Sequence, residues 1–168
     1  MGYRSEVIYA IEPTRNEDSL EKWFVFLAEA RNCPTTQHAM SMIDQSGEYE
    51  AMKESDLWWR GGMDSDNNAI LIEFENVKWY DSFDEVQSFT ALMDMIGKDY
   101  ENYIHAAYIR IGEEEGDVET RYINDGYELV RAYSYYDIEG SRFNSKNVDT
   151  SRQDKFTSKD FLKEGEKL

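Results

Sequence analysis

The apolar residues of this chain form two kinds of pattern, continuous runs that predict strands and helical repeats that predict helices. Residues 7–11 form a β-branched and aromatic run that ends at Pro13. A run of this kind predicts a first strand with most of both faces buried. Residues 69–74 form a second such run, and residues 77–80 extend its pattern. We therefore expect two buried strands, far apart in the sequence, with helices between them.

Each of these runs is followed by a helical repeat. A Thr14-x-x-Glu17 capping box opens one helix, and Asn32-Cys33-Pro34 ends it because proline disfavours helix in the residue before it. A Ser82-x-x-Glu85 box opens another, with Gly97 as its predicted C-terminal cap. The predicted buried faces are Leu20, Trp23, Phe24, Leu27 and Ala28 in the former, and Val86, Phe89, Leu92, Met93 and Ile96 in the latter.

The stretch between these helices carries a weaker signal. Four apolar residues predict a short helix, and three more predict another after Gly47, before a break at Arg60-Gly61-Gly62. The two groups are Ala39, Met40, Met42 and Ile43, and then Tyr49, Met52 and Leu57.

The second half of the chain reads as consecutive strands. Residues 103–111 and 118–123 predict two strands joined by a turn at 112–116. Asp125-Gly126 is a hairpin-type dipeptide and leads into a third predicted strand at 127–136. The order of elements predicts an α+β fold, in which helices pack on one face of a mostly antiparallel sheet.

Charge divides the chain into two regions. The whole chain carries a formal net charge of −17. Residues 1–140 hold 30 acidic and 11 basic side chains, whereas residues 141–168 hold 5 and 7. We expect an acidic α+β domain at 1–140 and a mildly basic tail at 141–168, with a short helix docked on the domain.

Composition narrows the class of function. The 24 aromatic residues are too many for a disordered acidic protein. The net charge disfavours nucleic acid and anionic membranes as ligands, because both require clustered Lys and Arg. The chain has a single cysteine and no secretory signal in its first residues, so we expect a cytoplasmic protein.

One segment has the spacing of a calcium-binding loop. Asp64, Asp66, Asn68 and Glu75 match positions 1, 3, 5 and 12 of an EF-hand. Ala69 stands where the loop requires glycine, and a strand follows instead of a helix. The alternative is a polar turn that feeds a strand, with Glu75 facing water.

The densest charge is the acidic turn, residues 113–119, with five carboxylates in seven positions. It is either a solvated turn or a row of charge presented to a cation or a basic partner. Trp79 and Tyr80 add aromatic candidates, because neighbours on a strand face opposite sides, so at least one is either exposed or covered by another element such as the tail. The predicted partner-binding set is Glu113, Glu114, Glu115, Asp117, Glu119, Trp79 and Tyr80.

Catalytic groups are few. His38 and His105 lie in different predicted elements, and His105 reads as a hydrogen-bonded structural residue within a strand. Cys33 lies at a helix C-terminus, which is expected to raise the thiol pKa and make it a poor nucleophile. No phosphate-binding, dinucleotide-binding or zinc motif is present in the sequence. We expect no cofactor, and an enzyme is unsupported.

Three segments together resemble small acidic accessory proteins of tailed bacteriophages and prophages. They are Gly2-Tyr3-Arg4-Ser5-Glu6-Val7, Lys78-Trp79-Tyr80-Asp81-Ser82-Phe83-Asp84-Glu85-Val86-Gln87 and Arg110-Ile111-Gly112-Glu113-Glu114. The resemblance spans about residues 2–135 and transfers no functional residues. It implies an accessory protein that works in the bacterial cytoplasm.

Three functions follow as hypotheses. The first is an anti-defence inhibitor that binds a basic surface of a host nuclease or defence complex, with carboxylates in place of DNA phosphates. The second is a component of the virion or its assembly. The third is a small cation-dependent enzyme built on Asp64–Glu75 and the acidic turn. The oligomeric state and the identity of the partner stay open.

Overall fold

Seven strands and three helices make up the part of the chain that the computed structural model describes, residues 2–45, 59–133 and 135–143. The helices are α1 (Ser19–Asn32), α2 (Gln37–Asp44) and α3 (Asp84–Asp99). The strands are β1 (Ser5–Pro13), β2 (Trp59–Asp64), β3 (Ala69–Val77), β4 (Ile104–Gly112), β5 (Val118–Ile123), β6 (Val130–Ala132) and β7 (Tyr136–Ile138). The helix predicted near Tyr49, Met52 and Leu57, and the tail beyond residue 143, lie outside the described residues.

The main sheet has five antiparallel strands in the order β2-β3-β1-β4-β5. β1 is central, and all of its residues except Glu6 are buried, as its continuous apolar run predicts. β3 begins at the predicted residue and ends at Val77, so residues 78–80 leave the sheet. The predicted α+β class is confirmed.

The three helices cover one face of this sheet. The four apolar residues predicted to face inward from α2 and the five from α3 are all buried. α3 continues past Gly97, because the Tyr100 amide donates to the Ile96 carbonyl at 2.9 Å. The predicted cap at Gly97 is therefore wrong, and neither α1 nor α3 shows a side-chain capping hydrogen bond.

The predicted face of α1 is partly wrong. Leu20 and Phe24 are 48% and 54% exposed, whereas Phe26 is fully buried. The sequence contains two overlapping helical stripes that share Trp23 and Leu27. The ring of Phe26 packs against Tyr100, which follows α3, with centroids 5.4 Å apart. This long-range contact selects the stripe that faces the core.

Arg60-Gly61-Gly62 is not a break, as the sequence suggested, but the middle of β2. Gly61 and Gly62 have φ values of +90° and +136°, which glycine adopts without strain. They pair with Ile72 and Leu71 of β3. The run of glycines therefore forms an edge strand in a conformation that other residues rarely adopt.

The third strand of the predicted meander does not form. After β5, Asn124 and Asp125 have φ values of +51° and +61°, and a short 3-10 helix follows at Gly126–Glu128. A side chain at Gly126 would overlap the Ala106 carbonyl group of β4. The chain therefore crosses over β4, and β6 and β7 form a separate sheet that covers the second face of the main one.

Buried charges join the two sheets. Glu73 on β3 is 2% exposed, lies opposite Arg60, and accepts a hydrogen bond from the Tyr136 hydroxyl on β7. Glu12 on β1 accepts bonds from the Arg142 side chain at 2.7 Å and the Arg142 amide at 2.8 Å. Residues 141–143 thus pack on the domain. No helix in the described ranges is long and apolar enough to cross a membrane.

Candidate functional site

The acidic turn connects β4 to β5 at one end of the sheet. The Gly112 amide donates to the Asp117 carbonyl at 2.8 Å, and the Asp117 amide donates to the Glu114 carbonyl at 3.0 Å. Gly116 completes the turn with φ of +84°, a conformation that favours glycine. The turn is therefore closed by its own backbone.

The N-terminal segment clamps the turn from one side. The Tyr3 hydroxyl donates to Asp117 Oδ2 at 2.5 Å and accepts from the Glu114 amide at 3.0 Å. A Cβ at Gly112 would fall on the Tyr3 ring and the Asp117 carboxylate. Glycine at position 112 is thus required for the close approach of Tyr3 to the turn.

Arg4 extends this clamp to the other side of β1. Its amide donates to Glu113 Oε2 at 2.7 Å, and its guanidinium donates to the Asn76 carbonyl at 3.1 Å. The Asn76 amide in turn donates to Glu6 Oε2 at 3.3 Å. The end of β3 and the acidic turn are therefore joined through the first residues of the chain.

Arg110 partly neutralises the turn from beneath. Its guanidinium donates to Asp117 Oδ1 at 2.9 Å, to Glu119 Oε1 at 3.0 Å and to Ser5 Oγ at 3.2 Å. The bond to Asp117 is the main cause that raises the pKa of Arg110. The pKa of Tyr108 is raised first by burial and then by the hydrogen bond that the Tyr108 hydroxyl donates to Glu119 at 2.7 Å. Arg110 thus holds Asp117 and Glu119, two of the five carboxylates of the turn.

The other three carboxylates give the turn its outward charge. Glu113, Glu114 and Glu115 are exposed, and the side chains of Glu114 and Glu115 make no hydrogen bond or ion pair within the described residues. An open cavity of about 520 Å³ lies between this turn and the chain near Arg4, Glu6 and Asn76. The surface offered to a partner is therefore concave and acidic, on a turn whose backbone is held by hydrogen bonds.

Tyr80 belongs to this site, whereas Trp79 lies in the core. The Tyr80 hydroxyl accepts from the Tyr3 amide at 2.8 Å, and the side chain is 36% exposed. Trp79 is 7% exposed and its ring centroid lies 4.8 Å from that of Phe74. One of the pair is therefore exposed and the other is a core residue, although both follow the end of β3 and do not alternate along a strand. Trp79, predicted as a partner-binding residue, packs in the core and does not reach the site surface.

The four residues of the proposed calcium loop are not brought together. Asp64 is buried and accepts hydrogen bonds from the amide and the side chain of Asn67. These bonds stabilise the turn between β2 and β3. Glu75 is exposed and lies six residues along β3 from Ala69, about 20 Å at 3.3 Å per residue. Asp66 and Asn68 stay in the turn. Among the described residues, no group of three or more His, Cys, Asp and Glu is placed to hold a metal ion.

The remaining candidates are structural. His105 Nδ1 lies 2.6 Å from the Asn124 carbonyl oxygen, which agrees with a structural histidine. The Cys33 thiol lies 3.2 Å from the Thr35 hydroxyl, and this hydrogen bond lowers the pKa of the thiol. The predicted rise is therefore wrong, because the hydrogen bond with Thr35 is the main cause of a shift in the opposite direction. His38 lies on α2, half-buried, away from His105.

Sequence reasoning missed the residues that hold the turn. Tyr3 and Arg4 are more than a hundred positions from the turn, so no local pattern points to them. Arg110 was detectable, because Arg110 and Glu119 face each other across the predicted hairpin. The sequence pattern also did not predict the apolar outer face of α1, where Leu20, Phe24 and Val25 are each about half exposed.

Comparisons with known proteins add no family to this description. A scan against protein-family models, a search of curated proteins and a search of solved structures each gave no match. The site is therefore interpreted from its own geometry.

Asp117→Asn tests the clamp through its pH dependence. Hydrogen bonds from Arg110 and then Tyr3 hold the pKa of Asp117 below its ordinary value of 3.8. A carboxylate with a lowered folded-state pKa stabilises the fold above its unfolded pKa, and this contribution is lost as the pH falls through the folded one. We expect the variant to melt at a lower temperature than the parent near pH 6, and the two to converge below about pH 3.8. A difference in melting temperature that stays constant down to about pH 2 would contradict the clamp.

Proposed function

We propose that this chain is a phage-encoded accessory protein that binds a basic surface of a bacterial host protein and inhibits it. The observation that carries this proposal is the acidic turn, which is held rigid by Tyr3, Arg4 and Arg110 and projects Glu113, Glu114 and Glu115 outward. The bonds hold the backbone of the turn and the Glu113 side chain in one conformation, and a backbone that is already ordered loses less entropy on binding than a mobile one.

The charge of the domain supports the same proposal. Residues 1–140 have a formal charge of −19. A field of this size attracts a positively charged surface over distances of about one Debye length, 8–10 Å at physiological salt. The charge of residues 1–140 then speeds the approach of the partner, and the acidic turn makes the specific contacts.

The partner whose chemistry matches this turn is a protein surface that normally binds phosphate groups. Duplex DNA carries about one negative charge per 1.7 Å of axis, and proteins meet it with clustered Lys and Arg. Glu113, Glu114 and Glu115 place three exposed carboxylates on consecutive residues, and Tyr3 links this turn to the partly exposed Tyr80 side chain. We infer that the turn occupies part of the phosphate site of a host nuclease or defence complex, in a cytoplasmic encounter.

Capture followed by competition tests this proposal. The full-length protein is immobilised, exposed to extract of the host bacterium, and its bound partner is identified by mass spectrometry and purified. We expect a nucleic-acid-binding protein whose DNA or RNA ligand and this chain exclude each other. A partner that binds its nucleic acid and this chain simultaneously, or the recovery of virion proteins alone, would overturn the proposal.

A further inference from the structure

The two edges of the main sheet differ in accessibility. β2 forms one edge, and all of its residues except Met63 are buried. β5 forms the other edge, and none of its residues except Ile123 is buried. No described strand pairs with the outer side of β5. A strand with an open edge is a site where another chain can add.

The register of β4 and β5 identifies the backbone groups on that edge. Gly112 donates to the carbonyl of Asp117, which makes these two a hydrogen-bonded pair. Hydrogen-bonded and non-hydrogen-bonded pairs alternate along an antiparallel ladder. The backbone groups of Glu119 and Arg121 therefore point to β4, whereas those of Thr120 and Tyr122 point outward. Neither outward amide donates to a described residue.

The acidic turn leads directly into this edge. Glu119, the last residue of the acidic turn, is also the second residue of β5 and is exposed. A cavity of about 300 Å³ lies beside the strand, between Thr120 and Arg121 of β5 and Met93 of α3, with the Tyr108 side chain in its wall. A strand added to β5 would place alternate side chains over this cavity.

We propose that the β5 edge binds an extended, basic segment of the partner as a sixth strand of the sheet. This proposal rests on the proposed function, because the acidic turn selects the charge of the segment while the backbone of β5 fixes its path. Main-chain hydrogen bonds supply the affinity in such strand addition, and side-chain pockets supply the specificity. A second copy of this chain fits less well, because two bodies of about −19 repel each other.

Amide exchange with a defined peptide tests the edge. The probe is a synthetic peptide of about ten residues in which lysine and valine alternate, a length typical of a strand. Its control has the same sequence and charge but N-methylated backbone amides, which cannot donate to the Thr120 and Tyr122 carbonyl groups and whose methyl groups prevent close pairing with β5. We expect the unmodified peptide to slow exchange at Thr120 and Tyr122 by about tenfold, the magnitude of one good hydrogen bond, and the methylated peptide to leave it unchanged. Glu119 and Arg121, already bonded to β4, serve as internal references.

Thr120→Pro is the matching variant on the protein. Proline is tolerated on edge strands where the lost N–H faces solvent, and Thr120→Ala keeps that donor as the control. We expect the proline variant to lose peptide protection at Tyr122 and the alanine variant to retain it. Equal binding of both peptides without protection of these amides, or no binding by either, overturns the edge proposal. Capture of a basic host protein would still support the proposed function.

Discussion

Replacing Glu73 with alanine is expected to lower the free energy of unfolding by about 3–5 kcal/mol, the cost of leaving a buried ion without its partner. The Glu73 and Arg60 side chains are 2% and 4% exposed, with Arg60 Nε 3.5 Å from Glu73 Oε1. The variant also removes the acceptor of the Tyr136 hydroxyl, which ties β7 to the main sheet. Chemical denaturation with urea measures the change.

Two further variants give this prediction its controls. Glu101→Ala removes an exposed carboxylate between α3 and β4 and is expected to change stability by about 0.5 kcal/mol or less. Glu73→Gln keeps an acceptor for Tyr136 but removes the charge, so we expect an intermediate loss. If Glu73→Ala is no more destabilising than Glu101→Ala, Glu73 does not hold β7 to the main sheet.

Replacing Glu113, Glu114 and Glu115 together with glutamine is expected to weaken binding of the captured partner by at least about tenfold, or about 1.4 kcal/mol. Charges on a binding surface set association rate and specificity, and these three point to solvent from a rigid turn. Binding of the purified partner by calorimetry measures the loss. Circular dichroism verifies that the variant folds.

Two controls show whether partner affinity depends on the position of the charges or on their arrangement in the turn. Glu17→Gln, Glu21→Gln and Glu101→Gln together remove the same charge from exposed sites outside the turn, and we expect a change in affinity of less than about threefold. Gly112→Ala keeps every charge but displaces Tyr3 from Asp117, so we expect weaker binding. If both triple variants lose affinity equally, net charge rather than the turn is responsible.

The sheet core and α3 could be predicted because each has one dominant pattern. The apolar run at residues 7–11 is short, rich in β-branched residues and closed by Pro13, which favours a strand buried on both faces, and the α3 repeat has a single apolar stripe. α1 has two overlapping stripes, and only the packing of Phe26 on Tyr100 decides between them. Amphipathicity predicts that a helix is buried, whereas a contact distant in sequence selects its face.

The second face of the sheet could not be predicted for a related reason. Glu12 directly follows one apolar run and Glu73 lies inside the other, and a buried carboxylate needs a partner that these runs do not contain. Those partners, Arg142 and Tyr136, come from the end of the described chain. The buried charges were the available signal that another element covers this face.

The acidic turn itself was evident from composition, but its rigidity was not. Five carboxylates in seven positions are visible in the sequence. The hydrogen bonds of Tyr3 and Arg4 join residues more than a hundred positions apart, and only the central place of β1 beside β4 brings them together. Charge density is a local property, whereas the fixed geometry of the charges depends on the topology.

The salt dependence of partner binding tests the central claim most directly. The dissociation constant of the purified complex is measured between about 50 and 300 mM salt for the parent and for the Glu113, Glu114 and Glu115 triple glutamine variant. If the acidic turn binds a basic surface, the parent affinity falls by at least about tenfold over this range, and the variant shows a distinctly smaller dependence. An affinity that barely changes with salt, or an equal dependence in the two proteins, would contradict the account.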